Sequence, residues 1–174
     1  MNLVALQKLG YGMYVIGSFK GNKLNGQTAN TVFQVTSEPP TVAVSINKKN
    51  LTHEYIKASK AFSASVLCQA TPLSYIGNFG FKSGRDADKL KDIKYKVGVT
   101  GAPVFLDNAT AYFEAEVIKE VDVGTHTIFI GRIIAAEVLT DEICMTYEYY
   151  HQVKRGTTPK AAPSYIAKEK GGDK

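Results

Sequence analysis

Two consecutive stretches, residues 109–121 and 125–138, are rich in β-branched and aromatic side chains over lengths well beyond an ordinary strand. Only Asp122-Val123-Gly124 separates them, and Asp and Gly are residues that close tight turns. The pair reads as one long antiparallel hairpin. Strands of that length suit a sheet that wraps around on itself into a barrel.

Shorter runs of β-branched and aromatic residues precede the hairpin, each ended by Gly, Pro, Asn or Asp. Residues 11–18 form a first strand, with Gly21-Asn22 and Asn25-Gly26 punctuating a hairpin after it. Residues 28–36 (TANTVFQVT) form a second, halted by Glu38-Pro39-Pro40; residues 41–46 (TVAVSI) form a third that breaks at NKKN. A short helix begins near Thr52, with Thr as N-cap and Glu54 in its first turn. Residues 61–67 are a further strand, after which Thr71-Pro72 opens a helix through Tyr75 and Ile76 that Gly77 ends. A last helix covers 147–153. About seven strands with a few short helices make the fold mainly β, a closed or partly closed antiparallel barrel.

The 174 residues are 44% hydrophobic and 21% charged, enough for one domain with one sizeable core and unlike a collagenous or wholly disordered chain. The body spans residues 1–154. From Arg155 the segment RGTTPKAAPSYIAKEKGGDK lacks core-building periodicity, so 155–174 reads as a basic Pro/Lys/Gly-rich arm. The net charge is +5, but most of it lies beyond Tyr150, and a neutral body with a basic tail does not make a nucleic-acid groove. Cys68 and Cys144 have no CxxC spacing, which indicates neither a disulfide framework nor a metal knuckle; both read as small buried apolar residues. His53, His126 and His151 show no ligand spacing, so no metal is expected. No signal-like leader and no apolar stretch of about eighteen residues is present, so no membrane is expected and the cytoplasm is the default location.

Phosphate-loop, zinc-protease and hydrolase-elbow motifs are absent, and Gly10-Tyr11-Gly12 precedes a strand where a dinucleotide fingerprint must join strand to helix. Four segments are left as places for chemistry. In NGQTANTVFQV, short polar residues begin a strand and offer backbone groups to a flat, polar-edged ligand, though the residues alone favour a solvated strand start. Ser45-Ile46-Asn47-Lys48-Lys49-Asn50-Leu51-Thr52 runs from a strand end through a cationic loop into a helix start, the parts a phosphate needs, or only a surface turn. Lys82-Ser83-Gly84-Arg85, with Lys89 beyond, is a second cationic loop, flanked by Phe79 and Phe81. Gly124-Thr125-His126 places an imidazole at a strand start, facing a pocket or simply half-buried. The Tyr147, Tyr149, Tyr150 and His151 cluster seats the last helix.

Taken in order, LGYGMYVIGS, NGQTANTVFQVTSEPP, VAVSINKKNLTHEYI, FGFKSGRDADK, GTHTIFIGRI and TPKAAPSYI resemble the flavin reductase-like family. These FMN-binding split β-barrel proteins include flavoredoxins, archaeal ferric reductases and the flavin domain of high-molecular-weight rubredoxins. The resemblance covers about residues 5–166. It implies that Gln27, Thr28, Ala29, Asn30 and Thr31 run along the isoalloxazine ring. Ser45, Ile46, Asn47, Asn50 and Thr52 would hold ribityl and phosphate, and Phe79, Gly80, Phe81, Lys82 and Ser83 would close over the cofactor. His126 would sit near the ring where a nicotinamide docks, positioning it without acting as general acid or base. Members are typically homodimers, so the resemblance also implies a homodimer. Ser45 stands where many relatives carry Cys, and the rubredoxin domain with its two CxxC pairs does not follow in these 174 residues.

The resemblance thus implies an FMN-dependent oxidoreductase that takes hydride from NADH or NADPH and passes electrons to a separate acceptor: ferric iron, a rubredoxin, another flavin or similar. A flavoredoxin-type carrier without nicotinamide turnover and a non-enzymatic β-barrel binding module are the alternatives.

Overall fold

The computed structural model describes residues 2–165. A 3-10 helix (Leu3–Lys8) leads into strands β1 (Tyr14–Lys20), β2 (Lys23–Ala29), β3 (Val32–Ser37) and β4 (Pro40–Asn47). Helix α1 (Leu51–Ser59), β5 (Ala61–Leu67) and helix α2 (Leu73–Gly80) follow, then a small hairpin of β6 (Tyr95–Val97) and β7 (Pro103–Phe105). The long strands β8 (Ala109–Asp122) and β9 (His126–Val138) and helix α3 (Tyr147–Gln152) complete the order. The seven larger strands form one antiparallel sheet, ordered β2-β1-β5-β8-β9-β4-β3.

That order forces the sheet to curl. Strands β2 and β3 lie at opposite edges, yet only Asn30 and Thr31 join them. A flat seven-stranded sheet would separate its edges by roughly 29 Å, at ~4.8 Å per strand. The link spans at most about 11 Å. The edges therefore meet where β2 hands over to β3, and Thr31 O accepts Ser45 N at 3.1 Å, which carries the β3–β4 ladder back to that handover. The result is the expected mainly β, split antiparallel barrel.

Strands β1 and β5 are buried on both faces, which explains their nearly unbroken small and apolar runs. Val15 and Ile16, adjacent on β1, point into different clusters. Ile16 joins Val44, Ile46, Phe62 and Phe129 in one cluster, with Ile56 of α1 packed in. Val15 joins Phe79, Phe105, Met145 and Tyr150 in the other, beneath α2 and α3. Truncating the fully buried Phe62 to Ala would cost about 3–5 kcal/mol. Edge strand β3 differs, with Phe33 and Val35 exposed.

Several local expectations are corrected. Gly21-Asn22 alone makes the first turn, Gly21 taking φ +59°, while Asn25 and Gly26 lie inside β2. The single strand expected over 28–36 is broken at Asn30-Thr31, because β2 pairs with β1 and β3 with β4. Asn50, not Thr52, occupies the N-cap position of α1, and Pro72, not Thr71, that of α2. Thr71 is buried, its hydroxyl donating to Cys68 O at 2.7 Å. Helix α2 runs through Gly77 to Gly80, which turns Phe79 into the core and leaves Phe81 beyond its end. Cys68 is buried as expected, but Cys144 is exposed, since it sits on the irregular segment leading to α3. Among the described residues no helix is long and apolar enough to cross a membrane.

Candidate functional site

A cavity of about 350 Å³ opens where the sheet edges meet. Strand β2 and Asn30 form one wall, and the end of β4 with the loop into α1 forms another. Helix α2 and the loop after it close the cavity from the side, and Tyr147 and Tyr150 of α3 meet the segment 157–163 across the top.

Three tethers hold these walls. Asn25 Nδ2 donates to Thr52 Oγ1 at 2.8 Å, joining β2 to α1 and leaving the Thr52 hydroxyl hydrogen available. Asn47 Oδ1 accepts Lys49 N at 3.0 Å, which turns the loop before α1, and no side chain caps that helix. Lys89 Nζ donates to the carbonyls of Phe79 at 3.4 Å and Lys82 at 3.2 Å, pinning the loop that follows α2. Gly84 permits this closure, since a Cβ there would lie 2.2 Å from Asn25 Oδ1.

The charges around the cavity are one-sided. Lys49, Lys82, Arg85, Lys89 and Lys160 line it, and no carboxylate does among the described residues. Arg85 is partly compensated by Glu54 at 3.3 Å, whereas Lys48 turns away to Asp122. Lys89 is 3% exposed and has only carbonyl acceptors, so burial pulls its pKa down to about 8. An anion held here would stabilise the charged form and raise that pKa.

Part of the lining is uncharged. Met13, Ile76, Phe79 and Ala29 supply apolar surface, and Gln27 Oε1 is buried with no hydrogen-bond partner among the described residues. A buried acceptor left open in this way can take an N–H or O–H donor from a ligand.

Residues 6–158 match the flavin reductase like domain family. The chain belongs to the flavin reductase-like family. It is 56% identical over 171 residues to the high molecular weight rubredoxin of Moorella thermoacetica, covering 98% of this chain and 75% of that one. It is 46% identical over 166 residues to a ferric-chelate reductase (NAD(P)H) of Archaeoglobus fulgidus, covering 95% and 98%. The crystal structure of an FMN-binding protein from Thermus thermophilus, with bound p-hydroxybenzaldehyde, superimposes with a TM-score of 0.69 at 27% identity, covering 75% of this chain and 73% of that one.

Most residues that the flavin reductase-like resemblance singled out come together at the cavity. Gln27, Thr28, Ala29, Asn30, Ser45, Asn47, Asn50, Thr52, Phe79, Gly80, Phe81, Lys82 and Ser83 all line it. Thr31, Ile46 and His126 do not. Ile46 is fully buried in a core cluster, and Thr31 Oγ1 donates to Asn30 Oδ1 at 3.1 Å. His126 is half-buried behind the C-terminal segment, its Nε2 lying 3.2 Å from Ala161 O, which also accepts Asn47 Nδ2 at 3.2 Å. Desolvation lowers the His126 pKa, and the Ala161 carbonyl works weakly the other way.

Sequence reasoning missed Asn25, read as a turn residue, and Tyr147 and Tyr150, read as packing. It also left the described part of the arm unplaced: Thr157 and Pro159 to Pro163 line the cavity, and Asn30 Nδ2 donates to Ser164 Oγ at 2.8 Å. Proline and short side chains suit such a strap, but no local pattern shows where it lies. The part of the arm expected over 166–174 lies outside the described residues.

The residues present fit FMN. A phosphate suits the cationic end and the uncapped start of α1, and the N–H on the pyrimidine edge of an isoalloxazine suits the open Gln27 acceptor.

Proposed function

We infer that this cavity binds FMN and that the chain is an NAD(P)H-dependent oxidoreductase passing electrons to a second acceptor. The observation that carries this reading is a cavity wall with four cations from a body of nearly neutral charge, a fifth from the arm and, among the described residues, no carboxylate, beside an apolar surface with an orphaned acceptor. Bound FMN supplies the redox chemistry, accepting hydride from a nicotinamide and releasing electrons to the acceptor. The protein binds, orients and shields.

Lys89, Arg85, Lys49 and the first turn of α1 hold the phosphate, with Thr52 presented by Asn25 and Ser45, Asn47 and Asn50 lining the ribityl path. Gln27 to Thr31 run along the ring, Ile46 and Thr31 contributing through backbone. Phe79 to Ser83 close one side and exclude water. His126 positions the nicotinamide once the strap over it moves. Hydride transfer needs no protein acid or base, which agrees with a cavity that no carboxylate lines among the described residues.

The chain divides by this reading into a flavin-binding body, 1–154, and an arm, 155–174. It works as a cytoplasmic homodimer. The exposed Phe33 and Val35 on an unpaired sheet edge support a second copy covering β3. Acceptors of the proposed class are ferric chelates, a rubredoxin or another flavin, in keeping with the names of the two relatives.

An absorption spectrum of the purified protein, with mass analysis of the released cofactor, tests flavin binding. A colourless preparation that takes up no flavin on soaking would sink the reading. Anaerobic mixing with NADH and NADPH then tests turnover. Bleaching by either supports the reductase; a yellow protein that neither bleaches is an electron carrier. The carrier reading has one observation in its favour, namely that Ala161 O occupies the His126 imidazole.

A further inference from the structure

Cys68 and Cys144 face each other across an isolated antiparallel bridge between the end of β5 and the segment leading into α3. The flanking hydrogen bonds run from Met145 N to Leu67 O, 2.7 Å, and from Gln69 N to Ile143 O, 2.9 Å. Cys68 N donates elsewhere, to Asn108 O at 2.9 Å. The two cysteines are therefore a non-hydrogen-bonded cross-strand pair. At such pairs the Cα atoms approach to about 4.5 Å and the side chains project on the same side. That approach lies within the ~4.4–6.8 Å over which a disulfide closes.

The two thiols differ in access. Cys68 is buried and Cys144 exposed. Each rests against a threonine hydroxyl, Cys68 Sγ 3.6 Å from Thr71 Oγ1 and Cys144 Sγ 3.4 Å from Thr110 Oγ1. Rotation about χ1 brings the sulfurs together without any change of backbone register. An exposed thiol backed by a buried resolving thiol is the arrangement of a peroxide-sensitive pair.

We propose that Cys68 and Cys144 form a redox-active dithiol that closes into an intramolecular disulfide on reaction with hydrogen peroxide. Cys144, as thiolate, attacks one peroxide oxygen; the O–O bond breaks, the leaving hydroxide takes up a proton as water, and Cys144 becomes a sulfenic acid. The Cys68 sulfur then attacks the Cys144 sulfur, the S–O bond breaks, and a second water leaves. Two thiols lose two protons and two electrons, and one peroxide becomes two waters. The bond fastens β5 to Met145 and hence to α3, whose Tyr147 and Tyr150 line the cavity. On the function proposed above, dioxygen reoxidising the reduced flavin releases peroxide on this molecule. The pairing itself stands without that reading, since neither cysteine lines the cavity.

The test exposes the purified full chain to hydrogen peroxide, quenches with an alkylating agent, and maps peptides without reduction. The expected result is a Cys68–Cys144 linkage within monomeric chains and a melting temperature raised by roughly 5–10 °C, both reversed by dithiothreitol. In C68A, Cys144 should persist as a dimedone-trappable sulfenic acid; in C144S, no adduct and no linkage should form. Full alkylation of both thiols after peroxide, linkage between chains, or dimedone labelling of wild type as fast as of C68A would each overturn the proposal.

Discussion

Replacing Lys89 with Met should make the protein more stable and, at the same time, loosen its hold on FMN. The ammonium is almost fully buried and its pKa is pulled down to about 8 by desolvation. The gap to the ordinary 10.5 corresponds to roughly 3 kcal/mol that the charged form costs the folded chain below pH 8. Met, of similar length, removes that cost and forfeits the hydrogen bonds to Phe79 O and Lys82 O, together about 1–2 kcal/mol. A net gain of about 1–2 kcal/mol remains. Because the folded pKa lies below the unfolded one, the folded chain releases this proton first as pH rises. Lys89 therefore makes stability flat below about pH 8 and rising from there toward about 10.5, and K89M should lack that rise.

A phosphate within reach of the ammonium makes a charge-assisted hydrogen bond worth about 1.5–3 kcal/mol, so K89M should bind FMN roughly 10- to 100-fold more weakly. Riboflavin, which has no phosphate, should bind both proteins alike. Urea titrations at neutral and alkaline pH, with calorimetric binding of FMN and riboflavin, measure each quantity. Unchanged FMN affinity, or an equal loss for riboflavin, would refute the assignment of Lys89 to the phosphate and leave it a tie for the loop.

The remaining predictions are briefer. Gly84→Ala sets a Cβ against Asn25 Oδ1 and should displace the loop, so FMN should dissociate faster in stopped-flow release. Deleting 157–174 should expose the His126 ring and raise its pKa toward the ordinary value, read by NMR titration. In the intact chain the lowered pKa means that the strap docks better above the ordinary histidine range and is weakened as pH falls through it; an unmoved titration would sink this. His126→Ala should raise the nicotinamide KM or slow flavin reduction while the protein stays yellow; unchanged reduction kinetics dismiss that role.

Much of the architecture was legible along the chain. The 109–138 hairpin, the strands at 41–46 and 61–67 and the terminal helix sit within a few residues of their expected places. Alternation and turn residues act locally, so they survive in the one-dimensional record. Errors came where a residue with a local meaning serves a distant partner. Asn25-Gly26 carries a turn signal, but Asn25 is used to tether α1, with Thr52 27 positions away. Gly77 carries a helix-stop signal, but burial of Phe79 against Phe105 draws the helix on for another turn.

The candidate site divides in the same way. Its chemical inventory, short polar residues on β2 and two cationic loops, could be read from residue types, because hydrogen-bonding capacity and charge belong to the side chain itself. Which cations face inward could not. Lys48 and Lys49 are neighbours, and folding turns one to Asp122 and the other to the cavity. Asn30 meets Ser164 across 134 positions, and Cys68 meets Cys144 through segments that share no local pattern. Composition and periodicity carry what a residue prefers. Proximity between remote residues, and the burial that shifts Lys89, arise only when the sheet closes on itself and brings its edges together.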